Sequence, residues 1–338
     1  MIRIGVIGCG YWGPLHIRVL HEIDGAAVTA VADLNPARLD HIAATYPGLH
    51  TTPDVDDLLA SDVDAVVIAT PAGTHASLAT AALKARKHVL VEKPLATSTA
   101  DAEALALLAE RAGRRLMAGH TFVYHAAVRA LRELIGGGVL GDIYYVDSKR
   151  VNLGLHRKDV DVVWDLGTHD VSILRYLLDG DAERVSAHGA AFHSAETAEV
   201  AYVQLRYPGG VLANLHVSWL DPVKVRRMTV VGSRRMAVWD DVEPVQKLRL
   251  YDRGLDRRPY HDDFGQWQVA YRHGDEQVVP LDFKEPLRLE AEEFLSSIRE
   301  GRSSLTGAED GIAVVRTLEQ ITAAMQPSAA IWSGAGVE

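Results

Sequence analysis

The chain has 338 residues, of which 48% are hydrophobic and 24% are charged, and these values are typical of a soluble globular protein. Its length predicts two domains. The formal net charge of −10 argues against a nucleic-acid partner and against binding to an anionic membrane. Cys9 is the only cysteine, which excludes an intramolecular disulfide and a thiolate zinc cluster and suits a reducing compartment.

The pattern of apolar residues also bears on location. The first apolar run begins at Ile2, with no preceding basic segment and no small-residue cleavage site after it. No run reaches the roughly 18 to 20 apolar residues of a membrane span. We therefore expect a cytoplasmic protein with no membrane partner.

The first predicted element is a short strand that leads directly into Gly8-Cys9-Gly10-Tyr11-Trp12-Gly13. This Gly-x-Gly-x-x-Gly spacing is typical of a strand that turns into a dinucleotide-binding helix. The first glycine permits the tight turn, the second lets backbone N–H groups approach a pyrophosphate, and the third allows close packing of helix on strand. The helix N-terminus then offers donors and a partial positive charge to the anion.

A second apolar run, 27–32, ends at Asp33, about 20 residues after Gly13, where a carboxylate can bind the ribose 2′-hydroxyl of NAD. Asp33 favours NAD because a carboxylate repels the 2′-phosphate of NADP. Arg38 is close enough in sequence to leave NADP as an alternative cofactor. A purely structural interpretation is that Asp33 caps the next helix at Asn35-Pro36.

The first third of the chain alternates apolar runs with helical patterns, as in runs 64–70 and 88–92 around an alanine-rich helix at 75–86. Strands this uniformly apolar are buried on both faces. The pattern predicts an α/β fold in which residues 1–120 form a doubly wound parallel sheet, the Rossmann arrangement.

Residues 121–338 are predicted to form an α+β domain for substrate binding and oligomerisation, with a large, mainly antiparallel, open-faced sheet. Helical spacing returns at 286–325, and these helices are free to pack back on the first domain. Val217, Trp219 and Val231 are expected on the open face, which would be covered in a homo-oligomer, a dimer or a tetramer. The strands predicted from period-two alternation are 200–207, 211–219, 227–232, 236–240, 248–252 and 277–283.

The tripeptide Glu92-Lys93-Pro94 follows an apolar strand, so Lys93 lies at the strand's carboxyl end, where open α/β sheets bind ligands. A lysine there can bind a hydroxyl or ketone oxygen and stabilise its developing charge. Pro94 fixes the turn, and a cis bond is one way of doing so. The alternative is an ordinary solvated lysine.

A second candidate constellation is the segment 164–170, which precedes a helical run at 171–178. If the turn before the helix is already wound, Asp165 and His169 share one face at i and i+4. A carboxylate that holds an imidazole in one tautomer makes a general base active near neutral pH. Asp165, His169 and Asp170 could alternatively hold an ion, but the histidines lack close metal-ligand spacing, so no metal is expected. Hydride transfer is the reaction that this pattern favours.

Four motifs, in this order along the chain, resemble the glucose-fructose oxidoreductase, inositol dehydrogenase and rhizopine-catabolism (Gfo/Idh/MocA) family. They are the glycine-rich start, residues 70–75, Glu92-Lys93-Pro94 and residues 165–169. The resemblance implies that Lys93 contacts the hydroxyl that is oxidised, that His169 accepts its proton and that Asp165 orients His169. It also implies a set of cofactor contacts: Gly8, Gly10, Tyr11, Trp12, Gly13, Asp33, Arg38, Thr70, Pro71, His75, Glu92 and Lys93.

Within the family, residues 149–154 and 161–165 resemble the branch that acts on nucleotide-activated hexoses, and so does the later segment 285–290. This resemblance implies an NAD(P)-dependent oxidoreductase acting on a sugar, at C3 of the hexose. Alternatives are a dehydrogenase of a free sugar, inositol or aminocyclitol, and a non-catalytic dinucleotide-binding regulator. The implied substrate contacts are Lys93, Arg150, Asn152, Arg157, Trp164, Asp165 and His169.

Overall fold

The computed structural model describes residues 1–154, 160–193, 197–257 and 269–325. The chain divides into two compact units. The first contains Met1–His125 and Lys284–Glu319, and the second contains Ala126–Phe283 and the residues from Gln320 onward. The sequence-based division lay after residue 120; the structure groups residues 121–125 and Lys284–Glu319 with the first unit.

The first unit contains a parallel sheet whose strands are β1 (Ile2–Ile7), β2 (Ala26–Ala32), β3 (His50–Thr52), β4 (Ala65–Ile68), β5 (His88–Glu92) and β6 (Leu116–Gly119). Their order is β3-β2-β1-β4-β5-β6, and each registered pair is parallel. All four residues of β4 are buried, as in a strand that is covered on both faces. The predicted doubly wound sheet is thus confirmed, and its direction of winding reverses between β1 and β4, where such sheets bind ligands.

In chain order the helices are α1 (Trp12–His21), α2 (Pro36–Thr45), α3 (Val55–Ala60), α4 (His75–Lys84), α5 (Thr99–Ala112), α6 (Ala126–Gly136), α7 (Thr168–Leu178), α8 (Pro286–Glu300) and α9 (Ala308–Ala324). Within the first unit α8 packs against α1 and buries Phe294 and Leu295. The Arg18 guanidinium of α1 donates to the Glu285 carboxylate just before α8, with 2.5 Å between Nη2 and Oε1. Among the described residues, none of the helices has the length and apolar character needed to cross a bilayer.

The second unit contains a sheet made of β7 (Ile143–Leu153), β8 (Arg184–Ala190), β9 (Val200–Arg206), β10 (Leu212–Ser218), β11 (Leu220–Gly232), β12 (Met236–Asp240), β13 (Leu248–Arg257) and β14 (Val269–Val278). Its order is β14-β13-β12-β11-β7-β10-β9-β8. β7 and β10 run parallel, and the other registered neighbours are antiparallel. The predicted mainly antiparallel sheet is confirmed.

Individual strands of this sheet differ from those predicted. β7 and β8 were not predicted, and β11 begins at Leu220 instead of residue 227. β7 was missed because two of its buried positions hold Ser148 and Arg150 instead of apolar residues. The predicted last strand, 277–283, is wrong: β14 ends at Val278, and Pro280 has no N–H with which to continue the ladder.

The residues expected on the open face of this sheet are not exposed. Val217 is 0% exposed, Trp219 1% and Val231 7%. Val217 lies beside Arg150 in the β10–β7 register, on the face against which α7 packs. For Val217 the expectation was wrong, because alternation separates the two faces of a strand without saying which face is covered. Val231 stands opposite Tyr145 in the β11–β7 register and so lies on the other face, although it is buried.

The other face carries several large exposed side chains. Tyr202 is 57% exposed, Leu212 50% and Tyr145 41%. The rings of Tyr202 and His216 stack with their centroids 4.3 Å apart. This surface, defined by Tyr145, Tyr202, Leu212 and His216, is called the open face below.

Candidate active site

The glycine-rich turn between β1 and α1 has the geometry that a dinucleotide requires. Gly8 has a φ of +95°, and a Cβ added there would lie 2.6 Å from the Ala69 carbonyl oxygen. A Cβ at Gly13 would lie 2.0 Å from the Gly8 carbonyl oxygen, so glycine is needed for close packing of the helix. Apart from its chain neighbours, a Cβ at Gly10 would meet no atom of the described residues within 4 Å. Protein packing therefore does not explain Gly10, whereas close approach of a bound pyrophosphate does.

The first turn of α1 leaves backbone donors for an anion. Its N-cap residue, Tyr11, makes no side-chain capping hydrogen bond. The N–H groups of such a turn have no intrahelical acceptor and can donate to phosphate oxygens. Tyr11 is 79% exposed, and its ring meets the Trp12 ring edge-on, with centroids 5.4 Å apart. The turn and the helix N-terminus together fit the pyrophosphate of NAD.

The Asp33 carboxylate lies at the end of β2 and binds the glycine-rich turn. Oδ2 accepts from the Cys9 N–H at 2.5 Å, and Oδ1 accepts from the Asn35 N–H at 2.8 Å. The Arg38 Nη1 lies 3.5 Å from Oδ2. The N-cap of α2 is Asn35, whose side chain accepts from the Ala37 N–H. Asp33 is therefore not the cap of α2, and it stands beside the turn expected to hold the cofactor.

His75 joins the two loops that follow β4 and β5. Its ring is 1% exposed. Nδ1 lies 2.7 Å from the Pro94 carbonyl oxygen, and Nε2 lies 2.8 Å from the Thr70 carbonyl oxygen. Burial lowers the pKa of the imidazole, and the two carbonyl contacts partly oppose that shift. The ring thus ties together the backbones of the loops that carry Thr70, Pro71 and Lys93.

Glu92 lies in the interior of the first unit and contacts both α1 and Lys93. Its Oε1 is 2.8 Å from Nε2 of His16, a buried residue of α1. Its Oε2 accepts from the Lys93 backbone N–H at 3.2 Å. The Lys93 side chain is half-buried, and its peptide bond to Pro94 is cis. Glu92, expected to contact the cofactor, is 6% exposed and connects the glycine-rich helix to the backbone of Lys93.

A second buried carboxyl, that of Glu290 on α8, lies near Glu92. Glu290 is 0% exposed, and the Thr121 hydroxyl donates to its Oε1 at 3.1 Å. Burial, followed by the negative charge of Glu92, raises the pKa of Glu290 well above 4.5. Glu290 therefore keeps its proton to a higher pH than an exposed glutamate does.

The segment before α7 is wound, as the i and i+4 pairing of Asp165 and His169 requires. Val163–Gly167 forms one π-helical turn that runs directly into α7. π-helical turns are rare and occur frequently at functional sites. Asp161 accepts from the backbone N–H groups of Val163 and Trp164 at 2.9 and 3.0 Å, which holds the start of the turn. The Trp219 indole donates to Asp165 Oδ2 at 3.2 Å.

Two of the predicted substrate contacts have partners inside the second unit. The Trp164 ring is 9% exposed, and its indole N–H donates to the Thr322 hydroxyl oxygen at 2.9 Å. Arg150 is 3% exposed, and its Nε donates to Asp170 Oδ2 at 2.8 Å. Ser148 donates to Oδ1 of the same carboxylate at 2.8 Å. Arg150 thus has a buried carboxylate partner within the second unit.

The other two predicted substrate contacts differ from each other. Asn152 lines a pocket of about 310 Å³ in the second unit, together with Leu153, Pro222, Lys224 and Arg226. Arg157 lies outside the described residues. The pocket therefore contains Asn152, which was predicted to contact the substrate, and two cations, Lys224 and Arg226, that the sequence analysis did not single out.

Among the described residues, no group of three or more His, Cys, Asp or Glu side chains is arranged to hold a metal ion. Of the three residues weighed as ligands, Asp170 is occupied by Arg150 and Ser148.

The sequence analysis assigned no site role to several residues around these motifs. His16 and Arg226 belong to no motif, Trp219 was expected only on the open face, and Glu290 was only the last residue of the segment 285–290. Only His16 carries a local signal, because it lies one helical turn after Gly13 and so faces the same side of α1.

Comparison with known proteins places these features in a family. Residues 2–120 match the family model described as an oxidoreductase family with an NAD-binding Rossmann fold, and residues 128–238 match the GFO/IDH/MocA C-terminal domain. The UDP-N-acetylglucosamine 3-dehydrogenase of Acidithiobacillus ferrooxidans is 31% identical over 331 residues, which are 98% of this chain and 97% of that protein. The inositol 2-dehydrogenase of Rhodococcus erythropolis is 32% identical over 295 residues, which are 81% of this chain and 84% of that protein.

A solved structure of the Acidithiobacillus ferrooxidans enzyme superimposes with a TM-score of 0.82 at 30% identity and covers 96% of this chain and 97% of that one. The fold, the glycine-rich turn and the similarity to these dehydrogenases together define an NAD-binding oxidoreductase that acts on CH–OH groups. The chain belongs to the GFO/IDH/MocA family. The predicted family resemblance is confirmed.

Proposed function

We propose that the chain transfers a hydride between NAD and C3 of a nucleotide-activated hexose. The observation that carries this proposal is the similarity to UDP-N-acetylglucosamine 3-dehydrogenase, which extends over 98% of the chain and 97% of the relative. The resemblance of residues 149–154 and 161–165 to the nucleotide-sugar branch supports the same substrate class.

Three residues carry the proposed chemistry. In the oxidation, the C–H electron pair leaves the carbinol carbon as hydride, the O–H bond breaks and a C=O bond forms. A bound NAD would supply the acceptor of that hydride. We assign the proton to neutral His169, the hydrogen bond to the substrate oxygen to the Lys93 ammonium, and the orientation of His169 to Asp165. The reverse sequence reduces a 3-keto sugar with the same groups.

The proposed cofactor contacts follow the same reasoning. The turn from Gly8 to Gly13 would hold the pyrophosphate, and Asp33 would accept from the ribose hydroxyls. The open space at Gly10 and the position of Asp33 beside Cys9 support these assignments. Thr70 and Pro71, at the carboxyl end of β4, would pass the cofactor on the same edge of the sheet.

A second candidate is a dehydrogenase of a free inositol or sugar. It is favoured by the 32% identity with inositol 2-dehydrogenase, although that match covers 81% of this chain. The chemistry of Lys93, Asp165 and His169 would be unchanged. The two candidates differ in whether the substrate carries a nucleotide.

The test is the absorbance at 340 nm after the chain is mixed with NAD and separate pools of UDP-hexoses, dTDP-hexoses and free polyols. A rise with one nucleotide-sugar pool supports the proposal and identifies the carrier. A rise only with free polyols selects the second candidate. If all pools are silent, a 3-keto nucleotide sugar with NADH must give a fall in absorbance, or both candidates are wrong.

We also propose that the chain forms a homo-oligomer through the open face and works in the cytoplasm. The exposure of Tyr202 and Leu212, at 57% and 50%, supports the first point because large apolar side chains grouped on one surface favour a partner. The single, buried cysteine is compatible with a reducing compartment.

A further inference from the structure

The pocket that contains Asn152 is formed by an irregular pairing of β7 and β11. Leu220 pairs with Leu153 and Val225 pairs with Val151. Four residues of β11, 221–224, therefore stand opposite the single residue Asn152. Such bulges re-aim side chains and are frequent next to active sites. Here the bulge opens a pocket of about 310 Å³, large enough for a phosphate-bearing or sugar-sized group.

Among the described residues, those that line the pocket include two cations and no acid: they are Asn152, Leu153, Pro222, Lys224 and Arg226. Lys224 is exposed, and the Arg226 side chain is 29% exposed. The Arg226 Nε is buried and has no hydrogen-bond partner among the described residues. The pocket thus offers N–H donors and positive charge to an anionic group.

The charge of Arg226 is only loosely balanced by the protein. Its Nη1 lies 4.0 Å from Asp241 Oδ2, and Lys247 lies 3.8 Å from the other oxygen of that carboxylate. In the β11–β7 register, Arg226 stands opposite Arg150, whose own charge faces Asp170 at 2.8 Å. Burial, followed by the positive charge of Arg150, lowers the pKa of the Arg226 guanidinium below its ordinary value. An anion bound in the pocket would oppose both effects, because its negative charge would stabilise the charged guanidinium.

A chain of contacts connects the pocket to Asp165. A Cβ at Gly154 would lie 2.7 Å from Asn152 Nδ2 and 3.2 Å from Trp219 Cδ1, so both side chains close around that glycine. The Trp219 indole in turn donates to Asp165 at 3.2 Å. Gly154 and the Trp219 indole therefore connect Asn152, in the pocket wall, with the Asp165 carboxylate.

We propose that Arg226, Lys224 and Asn152 form an anion subsite that holds the phosphate, diphosphate or carboxylate group of the substrate while its sugar ring reaches Asp165. This inference rests on the proposed function and deepens it, because a free polyol has no group for such a subsite. Arg226 supplies the planar donor fork, Lys224 a second charge at the pocket rim, and Asn152 an amide donor.

Arg226→Gln tests the subsite, and Arg227→Gln is the matched control. Arg227 is the next residue of the same strand, is exposed and pairs with Lys149 on the opposite face of the sheet. The full chain, saturated with NAD, is titrated calorimetrically with UDP, inorganic pyrophosphate and glucuronate at two salt concentrations. We expect Arg226→Gln to weaken the binding of at least one of these anions about 10-fold or more, with no change in NAD affinity.

Further variants distinguish a lost contact from a damaged fold. Arg226→Lys keeps the charge and is expected to recover part of the affinity, and Lys224→Ala is expected to reduce it less than Arg226→Gln. Thermal melting and the molar mass in solution must match those of the wild type for each variant used. Equal anion affinities in the wild type, Arg226→Gln and Arg227→Gln proteins would overturn the subsite.

The outcomes separate the subsite from the proposed function. If nucleotide sugars are turned over but Arg226→Gln leaves their KM unchanged, the subsite is wrong and the function stands. If UDP or pyrophosphate binds through Arg226 while no nucleotide sugar is turned over, the subsite stands and the substrate is another phosphorylated sugar. Binding of glucuronate alone identifies a carboxylate-bearing sugar.

Discussion

The backbone of Lys93 is held by buried side chains on both sides of the residue. Glu92 accepts from the Lys93 N–H, and His75 lies 2.7 Å from the Pro94 carbonyl oxygen. His16 lies 2.8 Å from Glu92 and connects this loop to the glycine-rich helix. A lysine on so constrained a backbone loses less entropy when its ammonium binds a substrate oxygen, which favours the proposed role.

Lys93→Ala and His169→Ala are each expected to lower kcat by about 100- to 10,000-fold, the usual range for loss of a positioned acid, base or charge. NAD affinity is expected to stay within about 2-fold, because neither side chain belongs to the glycine-rich turn. Stopped-flow rates and the quenching of tryptophan fluorescence by NAD measure the two quantities.

His41→Ala, at an exposed position on α2, is the control for these variants and should keep wild-type kcat. Loss of NAD binding in the Lys93 or His169 variant would mean that the proposed roles are assigned to the wrong residues.

We expect Asp33 to determine cofactor choice by repelling a 2′-phosphate. Asp33→Ser is expected to weaken NAD binding by about 10- to 100-fold, because a charged acceptor of the ribose hydroxyls is lost. The same change should improve NADP binding, since Arg38, 3.5 Å from the carboxylate, remains to contact the phosphate. Dissociation constants for both cofactors, in Asp33→Ser with and without Arg38→Ala, measure the effect. NADP affinity that does not depend on Arg38 would contradict this account.

At the scale of elements, α8 places a buried titratable carboxyl group in the first unit. Glu290 is fully buried on this helix, with Thr121 donating to it and the Glu92–His16 pair nearby. Its folded pKa is raised well above 4.5, so above pH 4.5 the folded state binds more protons than the unfolded state. The free energy of unfolding must therefore fall as pH rises through the folded pKa.

Glu290→Gln should remove this dependence, since the amide is neutral at every pH and its oxygen can still accept from Thr121. We expect the melting temperature of Glu290→Gln to rise relative to the wild type as pH increases from about 4.5, by several degrees for each kcal/mol recovered. Glu300→Gln, at the exposed end of the same helix, is the control for a Glu→Gln change outside the buried site. Parallel curves for wild type and Glu290→Gln between pH 4.5 and 9 would show that Glu290 is ionised in the fold.

The π-helical turn Val163–Gly167 is the second element of functional interest. It is followed without a break by α7, whose Asp170 binds Ser148 and Arg150 of β7. The buried ion pair therefore anchors the start of α7 to the sheet, close to His169. Removing one partner of such a pair leaves an uncompensated buried charge. The Arg150–Asp170 pair therefore holds the start of α7 in one position on the sheet.

At the scale of the whole molecule, the open face is the surface proposed for self-association. Tyr202→Glu and Leu212→Glu each place a charge on it and should lower the molar mass in solution, because a buried unpaired charge costs several kcal/mol in an interface. Light scattering during gel filtration measures the mass.

Leu107→Glu, at a position 47% exposed on α5, is the matched control and should leave the mass unchanged. A single-chain mass for the wild type, or an unchanged oligomer in both open-face variants, would exclude this interface.

The amino-acid sequence alone predicted the features that depend on local pattern. The parallel, doubly wound arrangement of the first sheet follows from the alternation of apolar strands and short helices, because strand–helix–strand units connect parallel strands with one favoured handedness. The roles of Gly8 and Gly13 follow from their spacing, and the position of Lys93 follows from the strand before it. Each of these inferences needs only residues that are close together along the chain.

Only the tertiary structure decided which distant side chains meet. His16 and Glu92 are 76 residues apart, and Asp165 and Trp219 are 54 apart. Strand register and α7 place Asp170 against Arg150, whereas the neighbouring Arg226 lines the pocket beside Asn152. The physical reason is that a pattern of alternation defines two faces, whereas register and packing decide which face is covered and which charges are neutralised there.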